Sequence, residues 1–171
     1  LSIGGAGTLS NATGSPLVLD VADSILSLTG NGTISGPVKL ESGTLKSTGS
    51  PTVSGAMTQY YDATIEVSTN QTLTYSGPSL SLGANKLTLT GGGTFNNTNA
   101  LVLNNADSLL SLSGILTIRD VDGTTASNSG KGIQVTSSAT LGDYDLSAVS
   151  YLSIAANQTL AGQLNLQNNG E

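Results

Sequence analysis

The stretch from Leu17 to Leu28, Leu-Val-Leu-Asp-Val-Ala-Asp-Ser-Ile-Leu-Ser-Leu, returns as Leu-Val-Leu-Asn-Asn-Ala-Asp-Ser-Leu-Leu-Ser-Leu from Leu101 to Leu112, an offset of 84 residues. Upstream, Gly7-Thr8-Leu9 answers Gly93-Thr94-Phe95 at an offset of 86, and further on Asn70-Gln71-Thr72-Leu73 answers Asn157-Gln158-Thr159-Leu160 at 87. A fixed period with drifting turn lengths is the signature of a solenoid, in which each coil contacts only its neighbours. The chain therefore reads as one solenoid over residues 1–171, built from two internal copies, 1–86 and 87–171.

Short apolar patches recur every seven residues or so, as at Leu17/Leu19, Leu26/Leu28, Val38/Leu40, Ile65/Val67, Leu80/Leu82, Leu87/Leu89 and Leu101/Leu103. Apolar residues at i and i+2 lie on one face of a strand, and the outward positions between them carry polar residues such as Lys39, Lys46 and Glu66. Gly, Asn, Asp and Pro punctuate the gaps, and no window carries a helical stripe with caps. The pattern predicts an all-β chain. Three strands per coil give about eight coils of about 21 residues, a parallel β-helix roughly 38 Å long. Right-handed winding is the default for parallel crossovers. Leu19, Leu28, Leu73, Leu89, Leu103, Leu112, Leu152 and Ile154 are expected to point inward.

Composition narrows the function classes. Charged residues make up 9% of the chain, and eleven acidic against five basic residues leave a net charge of −6. Five scattered cations build no basic patch, which argues against nucleic acid as a partner. The chain has no Cys and no His, so disulfides, thiolate chemistry and the commonest general base and zinc ligand are all missing. No run approaches the length of a transmembrane helix. Asn-x-Ser/Thr sequons begin at Asn11, Asn31, Asn70, Asn96 and Asn157, about as often as a chain this rich in Asn, Ser and Thr produces by chance.

Gly32-Thr33-Ile34-Ser35-Gly36 followed by Gly43-Thr44-Leu45 resembles the Gly-Thr-Leu repeats of bacterial surface proteins built as right-handed β-helices, the autotransporter passengers and large adhesins. The resemblance implies an extracellular stalk or adhesive surface, with surface glycans as partners. Its motifs are structural and carry over no catalytic residue, so no enzyme is expected.

The two halves agree as far as Thr33-Ile34 and Thr117-Ile118, then part, and similarity returns at Leu152 and Ile154. The divergent segment holds Arg119, Asp120/Asp122, a polar stretch from Thr124 to Gly130 read as a loop, Lys131, and Asp143/Asp145 around Tyr144, and it runs to Tyr151. Two Asp-x-Asp pairs 23 residues apart fit neighbouring coils, where four carboxylates could gather round one Ca²⁺ ion. Turn capping is the commoner role of such aspartates. Paired carboxylates also serve glycoside hydrolysis, which makes a polysaccharide-binding or polysaccharide-degrading helix the alternative function. Tyr60, Tyr61, Tyr144 and Tyr151 suit sugar stacking or, more often, half-buried cover for a turn. An ice-binding face needs threonine ranks on every coil, and along the sequence Thr72/Thr74 and Thr88/Thr90 stand isolated.

The repeat also runs through the seam. Lys86-Leu87-Thr88-Leu89 has its counterpart in Glu171-Leu1-Ser2-Ile3 only if one copy follows another, and Leu80/Leu82 answer Leu164/Leu166. Self-association through Leu1, Ile3, Leu164, Leu166 and Glu171 is therefore expected, as tandem copies or as subunits stacked head to tail.

Overall fold

The computed structural model describes residues 1–12, 14–99, 101–105, 107–114, 117–122, 132–145 and 151–165, with backbone alone at 117–122, 132, 142–145, 151 and 163–165. Every described element is a strand, and every pairing between strands is parallel. Alternation explains the choice: Ala63–Val67 buries Ala63, Ile65 and Val67 and leaves Thr64 and Glu66 on the outer side. A strand that hides one face must hide it against other strands, and here those belong to the same coil.

The first face is an eight-stranded sheet: Ser2–Ile3, Ile25–Leu28, Gly43–Ser47, Ala63–Val67, Lys86–Thr90, Leu109–Ser113, Gly132–Val135 and Tyr151–Ile154. Numbering its strands one to eight defines the rungs. Register partners on successive rungs lie between 19 residues apart, as Leu26 and Leu45, and 25 apart, as Ile3 and Leu28. Eight passages enclose fewer complete turns than the eight coils expected. The second face stacks Thr8–Leu9, Thr33–Ile34, Thr52–Val53, Thr72–Tyr75 and Thr94–Asn97, then Thr117–Asp122, Ala139–Asp145 and Leu160–Asn165. The third face begins as a three-stranded sheet of Leu17–Leu19, Val38–Leu40 and Met57–Gln59, and continues with the pair Leu80–Ser81 and Leu101–Val102. At rung six one strand covers two faces: Thr117 and Ile118 pair with Thr94 and Phe95, while Val121 and Asp122 pair with Leu101 and Val102.

The core is a set of ladders along the axis. Leu26, Leu45, Ile65, Leu89, Leu112 and Val135 are successive register partners, all buried. Each contributes roughly 1.5–3 kcal/mol by leaving water. Repeat-related residues return to the same faces, Leu28 and Leu112 to the first and Leu73 and Leu160 to the second, though in neighbouring ladders rather than the same one.

Six of the eight residues expected to point inward are buried: Leu19, Leu28, Leu73, Leu89, Leu103 and Leu112. Leu152 and Ile154 are not. They are register partners of the buried Ile133 and Val135, yet they are 41% and 44% exposed. Their strand is the outermost of the first sheet, so no further rung among the described residues covers them.

Two details show how closely the rungs fit. Tyr75 is buried in the core, stacked on Phe95 of the next rung at 6.5 Å between ring centroids. Its hydroxyl donates to Pro78 O (2.5 Å) and accepts from Met57 N–H (3.1 Å). Burial pushes its pKa up, and the bond from Met57 partly offsets that rise. The second detail is a pair of glycine rows. A Cβ on Gly30 would collide with Gly5, and one on Gly49 with Gly30. Gly55 stands in the same relation to Gly36, and Gly77 to Gly55. Glycine is needed there because successive backbones nearly touch.

Candidate functional site

The divergent segment is where the sequence places its chemistry. In the structure Thr117–Asp122 and Ala139–Asp145 are neighbouring parallel strands, with Asp120 opposite Asp143 and Asp122 opposite Asp145. Val121 and Tyr144 pair between them. Both Asp-x-Asp pairs therefore share adjacent register positions, with strands about 4.8 Å apart. Like charges at adjacent positions repel. The next strand continues the stack, Asp143 opposite Gln163, Tyr144 opposite Leu164 and Asp145 opposite Asn165, after a register shift between Leu141 and Asp143. Arg119 lies on the strand of Asp120, and Tyr151 opens the last first-face strand opposite Gly132. Lys131, the stretch from Thr124 to Gly130, Leu166 and Glu171 lie outside the described residues. Among the residues whose side chains are described, which leave out Asp120, Asp122, Asp143 and Asp145, no three or more Asp or Glu are grouped so as to hold a metal ion.

The corner between the third and first faces carries the exposed aromatics. Tyr60 and Tyr61 are 52% and 65% exposed. Lys39 Nζ stands 5.3 Å from the Tyr60 ring centroid and 3.9 Å from Glu41 Oε1. Gln59 Nε2 ties the corner to the next rung by donating to Tyr61 O (3.0 Å) and Lys86 O (2.9 Å). Asp62 Oδ1 accepts from Lys86 N–H at 2.8 Å. An aromatic face beside Thr58, Gln59, Ser79, Ser81 and Asn104, which line a shallow cleft with Tyr60, is suited to stacking and hydrogen bonding a sugar ring.

Threonines on the second face do form ranks, contrary to their isolated look in the sequence. Thr8, Thr33, Thr52 and Thr74 are successive register partners, and so are Thr72, Thr94, Thr117 and Thr140. The two ranks are offset, overlapping only at rung four. Unequal turn lengths hid them, because register partners are not evenly spaced along the chain.

The ends form the remaining surfaces. Leu1 is 77% exposed, its amino group donating to Ile25 O at 3.0 Å. Behind it Ile3, Gly7, Leu9, Leu28 and Ile34 line an apolar hollow of about 190 Å³. At the opposite end Leu152 and Ile154 form the uncovered apolar row.

These features define a parallel β-solenoid repeat protein. No helix among the described residues is long and apolar enough to cross a membrane. Comparison with protein-family models, with curated proteins and with solved structures returns no match to this chain.

Proposed function

We propose that the chain is a structural and adhesive module of an extracellular β-solenoid, comparable in role to the bacterial autotransporter passengers and large adhesins that its Gly-Thr-Leu texture resembles, and that it is not an enzyme. The observation that carries this reading is the core itself. Along the described rungs it is buried as far as Ile133 and Val135, and it opens at both ends, at Leu1 on the first rung and at Leu152 and Ile154 on the last. A core of this form supports a rod whose sides meet the surroundings and whose ends meet more rod. Low charge, a surface of hydroxyls and amides, and the lack of Cys are compatible with an exported protein. The exposed Tyr60 and Tyr61 are the places where a surface glycan would stack. The reading needs no cofactor.

The rival, a polysaccharide-active helix, draws on the register that sets Asp120 beside Asp143 and Asp122 beside Asp145. The same four positions are what a Ca²⁺ site would use. Incubation with neutral and acidic polysaccharides is expected to release no reducing ends, from either the wild type or Asp145→Asn. Release by the wild type that disappears in Asp145→Asn would overturn the passive reading.

A further inference from the structure

Gly7 lacks, inside its own chain, the close contact that makes its repeat counterpart a glycine. Gly7 has an ordinary φ, and a Cβ built on it meets nothing within 4 Å. Its repeat counterpart, Gly93, also has an ordinary φ but is crowded. A Cβ there would stand 2.5 Å from Ser68 O, 2.6 Å from Val67 Cγ1 and 2.8 Å from Gln71 O. All three atoms belong to the rung before it. Gly93 is thus glycine because the turn Ser68–Gln71 packs on it, and Gly7 has no such turn beneath it.

The chain does carry a second copy of that turn, at its other end. Gln71 N–H donates to Ser68 O at 3.0 Å, and Gln158 N–H donates to Ala155 O at 3.1 Å. Asn70 and Asn157 take the same left-handed conformation within these turns, at φ 62° and 63°. The same clasp holds both. Thr72 N–H bonds Ser50 Oγ, which bonds Gln71 Oε1, and Thr159 N–H bonds Ser138 Oγ, which bonds Gln158 Oε1. The receiving strand is duplicated as well, with left-handed glycines at Gly91 (φ 103°) and Gly5 (φ 93°).

We infer that the first rung of one copy of this chain seats on the last rung of another, in the register that joins its two halves internally. The inference rests on the proposed reading as a rod and specifies the joint. Inside the chain Ile65 pairs with Leu89, Leu73 with Phe95 and Thr72 with Thr94. Carried to the joint, Leu152 pairs with Ile3, Leu160 with Leu9 and Thr159 with Thr8 of the next copy. Gly93 N–H bonds Val67 O at 2.9 Å and Thr94 N–H bonds Gln71 O at 3.0 Å, so Gly7 N–H bonds Ile154 O and Thr8 N–H bonds Gln158 O. Ile154, the counterpart of Val67, enters the hollow beside Gly7. A steric difference in the turn is matched on both sides. Thr69 Oγ1 crowds Gly92, which is left-handed, whereas Ala6 has an ordinary φ and a methyl, and the residue replacing Thr69 is Ala156.

Cysteine trapping tests the register, because the natural chain has no Cys. Thr8→Cys and Thr159→Cys proteins are mixed and oxidised, and compared with Thr8→Cys mixed with Ala161→Cys, two residues out of register on the same exposed side. Neighbouring strands hold Cα atoms within disulfide range. The 8–159 dimer is expected to form about tenfold faster than the 8–161 dimer, as a raised local concentration requires. Adding Gly7→Ala to the Thr8→Cys chain should remove that advantage while leaving the melting temperature of the single copy unchanged. Equal rates for the two pairs overturn the inference. End-to-end association by light scattering with equal trapping rates overturns the register alone and leaves the rod reading standing. Failure of the rod reading appears separately, as polysaccharide cleavage.

Discussion

Gly93→Ala is expected to destabilise the fold by about 3 kcal/mol or more, at the upper end of the cost of forcing an extra methyl into a packed interior. Two of the three atoms that the new methyl would meet, Ser68 O and Gln71 O, are backbone and cannot rotate away. Relief requires the two rungs to separate locally. That motion stretches Gly93 N–H to Val67 O and Thr94 N–H to Gln71 O, the bonds that hold them together. Urea unfolding reads the effect as a lowered midpoint. Gly7→Ala is the internal control, since it is the same substitution at the repeat-equivalent position with open space around it. It should leave the midpoint of the isolated chain in place. Equal losses at the two glycines would mean that stacking on the preceding turn is not what requires glycine.

Phe95→Ala is expected to cost about 3–5 kcal/mol. Phe95 is fully buried at rung five, with Leu73 in register on one side and Ile118 on the other. Its ring lies nearly parallel to that of Tyr75, 12° between planes, and Tyr75 is itself fixed through its hydroxyl to Met57 and Pro78. Removing the ring leaves a cavity between strands whose backbones are tied to both neighbours, so the gap closes only in part. Phe95→Leu keeps most of the volume and restores what the repeat has at Leu9, so it should cost under about 1.5 kcal/mol. In a solenoid, stability is roughly a sum over rungs and their interfaces. A lesion in the middle weakens two interfaces, whereas Leu9→Ala at the first rung weakens one. Denaturant midpoints for the three variants should therefore rank with Phe95→Ala lowest.

Much of this architecture was legible in the sequence, and for an identifiable reason. Alternation at Ile65/Val67 or Leu87/Leu89 marks a half-buried strand by local chemistry alone. The near-identity of Leu17–Leu28 and Leu101–Leu112 shows that such strands return on a period. Register was harder to see, because it depends on turn lengths that vary from rung to rung. For that reason the threonine ranks looked like isolated pairs. The glycines were legible as punctuation but not as contacts, since turn formation and close stacking both call for Gly and only coordinates separate Gly30 or Gly55 from a simple turn. Leu152 and Ile154 were assigned the correct side of their strand and the wrong exposure, because alternation reports the side and says nothing of a covering rung. In the candidate site, the sequence picked out the Asp pairs and the spacing that puts them on adjacent strands, and the structure supplied their register. It had no means of seeing that Tyr60 and Tyr61 stand clear of the corner, since exposure there follows from how the third face turns into the first.

We propose, then, that the module is a length of rod whose open first rung is completed by another copy. Amide hydrogen exchange at Gly7 and Thr8 in a chain of two copies joined Glu171 to Leu1 tests it most directly. In the second copy both amides should be protected to the level of Gly93 and Thr94, while in the first copy they should exchange as they do in the single chain. Rapid exchange of Gly7 and Thr8 in both copies would contradict it.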